Sequence, residues 1–448
     1  MMGQKVQNKQ MTMGDTLGLG FMTFAFFLGA GNLIFPPLAG FLAGENMTLA
    51  MIGFLITAVT LPLITLVAVA KANGKVMGLL PAFAATAFAV AIYIVIGPAF
   101  AAPRAGLVAY EMGFKPFLED SSATFMVAGI TLNVSQLIYS VIFFGGAMLL
   151  SLYPGKLLDS VGKVLTPIML ILLVGLAASV FLLPGAEVGQ AVGDYQSSPL
   201  TKGILEGYNT MDTLASLIFG MLIIDILRRK GVSDSKQQTK YLIRAALIAA
   251  AGLAFVYISL FYLGATAGDI AVGADNGGVI LTNYVNHEFG SLGQILLAAV
   301  VTLACLTTVI GLVTACSEFF NELFTKISYR KFVIIISVIC ATVANVGLSQ
   351  LISISVPVLY TIYPVAIALV AVTFLTEKFP MPEFSHRIVL SVALLFGVID
   401  GLKAAGFDIT LTDFMPLHNE GMAWLLPTAL TILACLFIKK PKSEPLLN

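Results

Sequence analysis

The sequence predicts an all-α polytopic membrane protein of twelve transmembrane helices, with discontinuous helices one and six. Three observations predict it. The chain of 448 residues is 58% hydrophobic and only 11% charged, with mean hydropathy +0.96, against about 45–50% and 25% in soluble domains. Windows of about 19 residues find twelve apolar runs. Two of those runs carry helix-breaking, polar interruptions that a lipid-exposed helix does not tolerate.

In chain order the runs are Asp15 to Leu42, Thr48 to Ala70, Phe83 to Ala102, Val134 to Leu152, Val164 to Leu183 and Gly203 to Leu227, then Arg244 to Ala267, Leu292 to Phe320, Phe332 to Leu348, Ile352 to Thr376, Ile388 to Leu402 and Met422 to Ile438. Pro98 and Pro103 punctuate the end of the third, which reads as a candidate for a longer, tilted helix. Threaded from a cytoplasmic N-terminus, Lys5, Lys9, Lys71, Lys75, Lys156, Lys163, the cluster from Arg228 to Arg244, Lys326, Arg330, Lys331, Lys378, Arg387, Lys439, Lys440 and Lys442 all face inward. Only Arg104, Lys115, Lys202 and Lys403 of the 24 basic residues fall outside. Adding or removing one span scrambles that separation, so both termini are expected on the cytoplasmic side. The segments Glu111 to Ser122, Gly185 to Pro199 and Gly268 to Glu288 are acidic and turn-rich and are expected outside. The last continues to Gly290 and is long enough for a short helix or gate.

Charge and cysteine usage exclude several classes. Zero formal net charge with no basic block gives no support to a nucleic-acid partner. The surroundings are membrane lipid, and nothing in the sequence sets an oligomeric state. Cys305, Cys316, Cys340 and Cys435 lie in apolar stretches without a C-x-x-C pair and read as small core residues. His287, His386 and His418 are all expected in loops, which argues against a histidine proton relay in the membrane. The polar N-terminal segment is followed by a run too long for a signal peptide, so it is expected to remain attached.

The first interruption is Gly29-Ala30-Gly31-Asn32, with Pro36-Pro37 close behind. Gly costs a helix about 1 kcal/mol and Pro about 3, so a break here reads as a binding site made from an unwound helix. Close helix packing at the glycines is the alternative. The second interruption, five spans later, is Glu206-Gly207-Tyr208-Asn209-Thr210-Met211-Asp212-Thr213. Asp212 at that depth is a functional candidate, or a carboxylate at the N-terminus of the inner half-helix, stabilised by its dipole. Glu206 lies nearer the outer mouth. Amides freed after Gly29 suit a carboxylate and unwound carbonyls from Gly207 to Asp212 suit an ammonium group, which together describe a site for an amino-acid zwitterion. Phe26, Phe27, Leu33, Ile34, Met211 and Leu214 supply apolar neighbours.

In the eighth run, Ala304, Thr307 and Thr308 share one helix face by their i, i+3, i+4 spacing. One carbonyl and two hydroxyls there suit a hard cation, or the hydroxyls bond back to their own helix. No nucleophile-base pair, metal cluster or phosphate loop appears, which counts against an enzyme. A filter motif expected of a channel is not visible, and neither is a Walker motif. A secondary transporter is therefore expected, coupled to sodium or, through Asp212 or Glu206, to protons.

Gly29 to Pro37, Ala43-Gly44-Glu45-Asn46, Glu206 to Asp212 and Ala304 to Thr308 closely resemble the bacterial branched-chain amino acid:cation symporters, also called branched-chain amino acid transport system II carrier proteins. The resemblance extends over nearly the whole chain. It implies uptake of leucine, isoleucine and valine by alternating access, with Na+ as the coupling ion, in the bacterial cytoplasmic (inner) membrane. More distantly the pattern resembles the leucine-transporter fold, which implies a single transporter domain over 1–448: two inverted five-helix repeats, about 15–183 and 203–376, and two extra helices, about 388–438. By position it implies substrate binding at Gly29, Ala30, Gly31 and Asn32, the carboxylate on the amides of Ala30 and Gly31, and a cation held by Ala25, Leu28, Ala304, Thr307 and Thr308. A second sodium in that fold uses an asparagine where Asn32 stands. The sixth run, with Gly207, Tyr208, Asn209, Thr210, Met211 and Asp212, does not align with the distant fold residue by residue.

Overall fold

The computed structural model describes residues 10–118, 123–127, 130–153, 158–183 and 185–438. Lys5, Lys9, Lys156, Lys439, Lys440 and Lys442 of the charge alternation, and 119–122 of the first acidic segment, lie outside them.

Helices dominate because nearly every run is apolar and a backbone in hydrocarbon must satisfy its own hydrogen bonds. In order they are α1 (Met13–Phe27), α2 (Ala30–Ala43), α3 (Met47–Leu55), α4 (Leu61–Lys71), α5 (Ala82–Ile94), α6 (Ala101–Gly113), α7 (Val134–Ser151), α8 (Thr166–Leu182), α9 (Pro199–Tyr208), α10 (Asp212–Arg229), α11 (Ser235–Ala265), α12 (Gly277–Leu323), α13 (Tyr329–Val343), α14 (Leu348–Leu375), α15 (Pro382–Ala404) and α16 (Leu425–Phe437). Seven helical stretches among the described residues are long and apolar enough to cross a membrane, eight if the bent pair α9 and α10 is one span. Both expected interruptions are present, between α1 and α2 and between α9 and α10.

The third run is the longer helix for which it was a candidate, and three other features depart from the sequence reading. The run does not stop at Ala102. A π-helical turn over Val95–Ala99 absorbs Pro98, and the helix resumes as α6, with Pro103 in the first turn where its missing N–H costs no intrahelical bond. Glu111, expected in a loop, is thus helical. An antiparallel hairpin pairs β1 (Thr124–Val127) with β2 (Ile130–Asn133), Thr124 opposite Asn133 and Val127 opposite Ile130. Asn133 then caps α7 by accepting from Gln136 N–H at 3.0 Å. Finally, His287 lies within α12 and His386 within α15, not in loops; His386 is buried with its ring against the Thr376 hydroxyl at 3.0 Å. Of the short helix or gate for which the Gly268–Gly290 segment has room, the structure has a helix: α12 starts at Gly277 and turns at Gly290, whose φ is +58°.

Contacts divide the chain into two compact units, residues 1–70 with 91–353, and residues 71–90 with 354–448. In the first unit small residues let broken and unbroken helices touch by backbone. A Cβ at Gly264 of α11 would overlap the Pro37 carbonyl oxygen, and one at Gly40 of α2 would overlap that of Phe261. Pro36 and Pro37 sit inside α2 and withhold the N–H groups that would bond the Asn32 and Leu33 carbonyls. The second unit packs by the same means, with Gly397 and Gly401 of α15 on the α14 backbone at Thr361 and Pro357. Asp400, fully buried there, accepts from the Trp424 N–H at 3.4 Å.

Candidate functional site

α1 ends where the Leu28 N–H reaches the Phe24 carbonyl at 2.8 Å. Gly29 follows in extended backbone, φ −116° and ψ −161°, and α2 starts at Ala30. Asn32 mends part of the break, because its Oδ1 accepts from the Gly29 N–H at 2.9 Å. The first amides of α2 remain without a partner in their own helix, as at every helix N-terminus.

The second break is shorter than the eight-residue interruption from Glu206 to Thr213 indicated. Asn209, Thr210 and Met211 donate back three residues, to the carbonyls of Glu206, Gly207 and Tyr208 at 3.1, 3.3 and 3.0 Å. The chain then turns through Met211, a buried non-glycine residue at φ +66°, into α10, bent 41° from α9. Such a conformation costs about 1–3 kcal/mol and persists only when the surroundings enforce it. The Gly207 carbonyl also takes the Thr210 hydroxyl at 2.8 Å, and that of Asp212 takes the Ser216 hydroxyl at 2.8 Å. Gly207 itself serves packing, since a Cβ there would overlap the Thr57 hydroxyl.

The two breaks meet. A Cβ at Gly31 would stand 3.1 Å from Thr210 Cα and 3.2 Å from the Asn209 carbonyl oxygen. Asn32 Nδ2 donates to Asp212 Oδ2 at 2.7 Å, the Tyr257 hydroxyl of α11 donates to the same oxygen at 2.8 Å, and Asn32 Nδ2 also contacts that hydroxyl. The Asp212 carboxylate therefore bridges three helices. Asn32, Asp212 and Arg104 are 1%, 2% and 3% exposed, so this junction is sealed from solvent. Phe26 and Phe27 pack on Phe219 of α10, ring centres 5.2 and 5.4 Å apart, and form an aromatic wall next in sequence to the break.

Beside it five oxygens converge between α1 and α12. The Thr307 hydroxyl reaches the Ala25 carbonyl oxygen at 3.1 Å and, back along its own helix as the alternative reading expected, that of Ala304 at 3.0 Å, either of which it can donate to. The Thr308 hydroxyl lies 3.1 Å from those of both Ala25 and Leu28. Thr308 also flanks the break, 3.1 Å from where a Cβ on Gly29 would be. The structure thus brings together Ala25, Leu28, Ala304, Thr307 and Thr308, and separately Gly31, Asn32, Asn209, Thr210 and Asp212, while Ala30 and Tyr208 are buried alongside.

Arg104 and Tyr257 were missed. Charge counting assigned Arg104 to the outside; the continuation of the third run into α6 carries it into the core, its guanidinium 5.4 Å from the centre of the Phe35 ring. The signal was present, an arginine embedded in apolar sequence after Pro103. Nothing local distinguishes Tyr257 from the other aromatics of α11.

Two discontinuous helices meeting at a sealed polar point inside an apolar bundle is the construction of secondary transporters. Solved structures share the fold: Mhp1, a nucleobase-cation-symport-1 family transporter, with TM-score 0.56 at 13% identity, covering 94% of this chain and 91% of that one, and a Na+-coupled sialic acid symporter, with TM-score 0.53 at 13% identity, covering 95% and 90%. A family model for the branched-chain amino acid transport protein matches residues 12–442. The branched-chain amino acid transport system 2 carrier protein of Pseudomonas aeruginosa is 46% identical over 437 residues, 96% of this chain and 97% of its own length. The chain belongs to the branched-chain amino acid transport family, and is a carrier, not an enzyme.

Proposed function

We propose that this carrier imports leucine, isoleucine and valine, coupled to Na+, by exposing one site between the broken helices alternately to either side. The observation that carries the sodium reading is the oxygen cluster of Ala25, Leu28, Ala304, Thr307 and Thr308. All five are hard donors without formal charge, which fits a small monovalent cation better than a soft or highly charged one. Bound there, Na+ would take lone pairs from carbonyls and hydroxyls alike, and it would join α1 to α12 next to the substrate break. The sodium-coupled neighbour supports this reading by its fold alone. The substrate's carboxylate would meet the amides of Ala30 and Gly31, and its side chain the wall of Phe26, Phe27 and Phe219.

The same reading comprises twelve spans in a bacterial inner membrane with both termini cytoplasmic, repeats at about 15–183 and 203–376, and extra helices at about 388–438. Proton coupling is the second reading, favoured by one observation, the sealed Asp212 carboxylate held by neutral Asn32 and Tyr257. Leucine uptake into vesicles of purified protein separates the two. An imposed sodium gradient at equal pH drives accumulation under the sodium reading, while a pH gradient without sodium does not; the reverse result assigns the coupling to protons.

A further inference from the structure

Arg104 is a charge buried in the core of a membrane protein, where an arginine is costly unless it has a task and compensation. Its Nη2 lies 2.8 Å from the point where a Cβ on Gly31 would stand, the same point that the Asn209 carbonyl oxygen and Thr210 Cα approach to 3.2 and 3.1 Å. The guanidinium therefore fills the space over Gly31, at the junction of the two breaks. Phe35 covers it at 5.4 Å, a cation–π contact that orients a planar guanidinium. The Asp212 carboxylate belongs to the same buried junction, and its Oδ2 is already committed to Asn32 and Tyr257.

We propose that Arg104 binds the substrate's α-carboxylate, beside the first amides of α2, and makes the carrier select for a free carboxylate. The proposal rests on the amino-acid reading of the site given above. A guanidinium presents paired N–H donors that match a carboxylate, and it retains its charge when desolvated. A neutral amide or alcohol in place of the carboxylate cannot accept the paired N–H donors as an anion does, and it forfeits that charge-assisted pair. An amino acid brings a carboxylate to Arg104 and an ammonium group toward the Asn209 carbonyl and Asp212, so opposite charges meet at both ends. A lysine would place a point charge, with no planar fork, over Gly31.

The test is sodium-saturated binding of radiolabelled leucine to purified full-length protein, with leucinamide and leucinol as competitors. For the unchanged protein both competitors are expected to be about a hundredfold or more weaker than leucine. Competition equal to that of leucine overturns the proposal without any variant. Arg104→Gln, shown monodisperse and folded, should lose about a hundredfold in leucine affinity while affinity for leucinol changes far less, so the preference collapses. Arg104→Lys, which keeps the charge, should recover part of it. If Arg104 only neutralises Asp212, the double variant Arg104→Gln with Asp212→Asn restores leucine binding with its carboxylate preference, and the proposal fails. Absence of leucine binding to the unchanged protein overturns the amino-acid reading itself, whereas intact leucine binding with an unaltered preference in Arg104→Gln overturns only the role of Arg104.

Discussion

Asn32 donates to the Asp212 carboxylate at 2.7 Å across 180 residues of chain, and this bond ties the first broken helix to the second. Asn32 does so while its Oδ1 holds the Gly29 amide, so one side chain both mends its own break and anchors the other. Tyr257→Phe removes the second donor to the same oxygen and should destabilise the fold by about 1–3 kcal/mol, the cost of depriving a buried acceptor of its donor. Asn32→Ala should cost at least as much. Since both donors serve one oxygen, their effects should be non-additive in a double-mutant cycle of denaturation midpoints. Strict additivity would show that the bonds act independently.

Gly31→Leu should abolish leucine binding while leaving membrane insertion intact, because the side chain enters the space shared by Arg104 Nη2, Thr210 Cα and the Asn209 carbonyl. Gly31→Ala should be intermediate, since the arginine end can move but the Thr210 backbone cannot. Normal binding by a folded Gly31→Leu protein makes Gly31 a packing residue.

Thr308→Val keeps the size of the side chain and removes the oxygen within 3.1 Å of Ala25 and Leu28. It should raise the sodium needed for half-maximal leucine binding, and the double change with Thr307→Val should eliminate sodium stimulation. By linkage, sodium affinity should rise when leucine is bound, by the same factor that sodium raises leucine affinity. A sodium titration at fixed ionic strength measures this, and a double-variant curve that overlays the unchanged protein moves the cation elsewhere.

Selectivity should follow the apolar wall of Phe26, Phe27 and Phe219. Each methylene buried there contributes about 0.8 kcal/mol, so leucine, isoleucine and valine should outcompete alanine by roughly 1–3 kcal/mol. Competition against labelled leucine at equal concentrations gives the ratio, and parity between alanine and leucine is the contrary result.

Much of the site was legible in the sequence because its parts are local. Gly29 to Asn32 and Glu206 to Asp212 stand out as small and polar residues within apolar runs, and each interrupts a helix where expected. The i, i+3, i+4 spacing of Ala304, Thr307 and Thr308 gave their common face. Hydropathy cannot assign Arg104, since it treats a charge after two prolines as the end of a span. It also read the whole segment from Gly207 to Asp212 as unwound, whereas three-residue turn bonds reclaim the Gly207 and Tyr208 carbonyls.

By itself the sequence determined the helical membrane class, the positions of both breaks and the threonine face, because hydrophobicity, helix propensity and helix periodicity act along the chain. Only the tertiary structure decided what meets at the breaks. The π-turn at Val95–Ala99 carries Arg104 inward to Gly31, α11 brings Tyr257 to Asp212, and α1 turns the Ala25 and Leu28 carbonyls toward Thr307 and Thr308. Those contacts join residues far apart in the chain, and a buried charge or carbonyl acquires its role from the group that packing places opposite it.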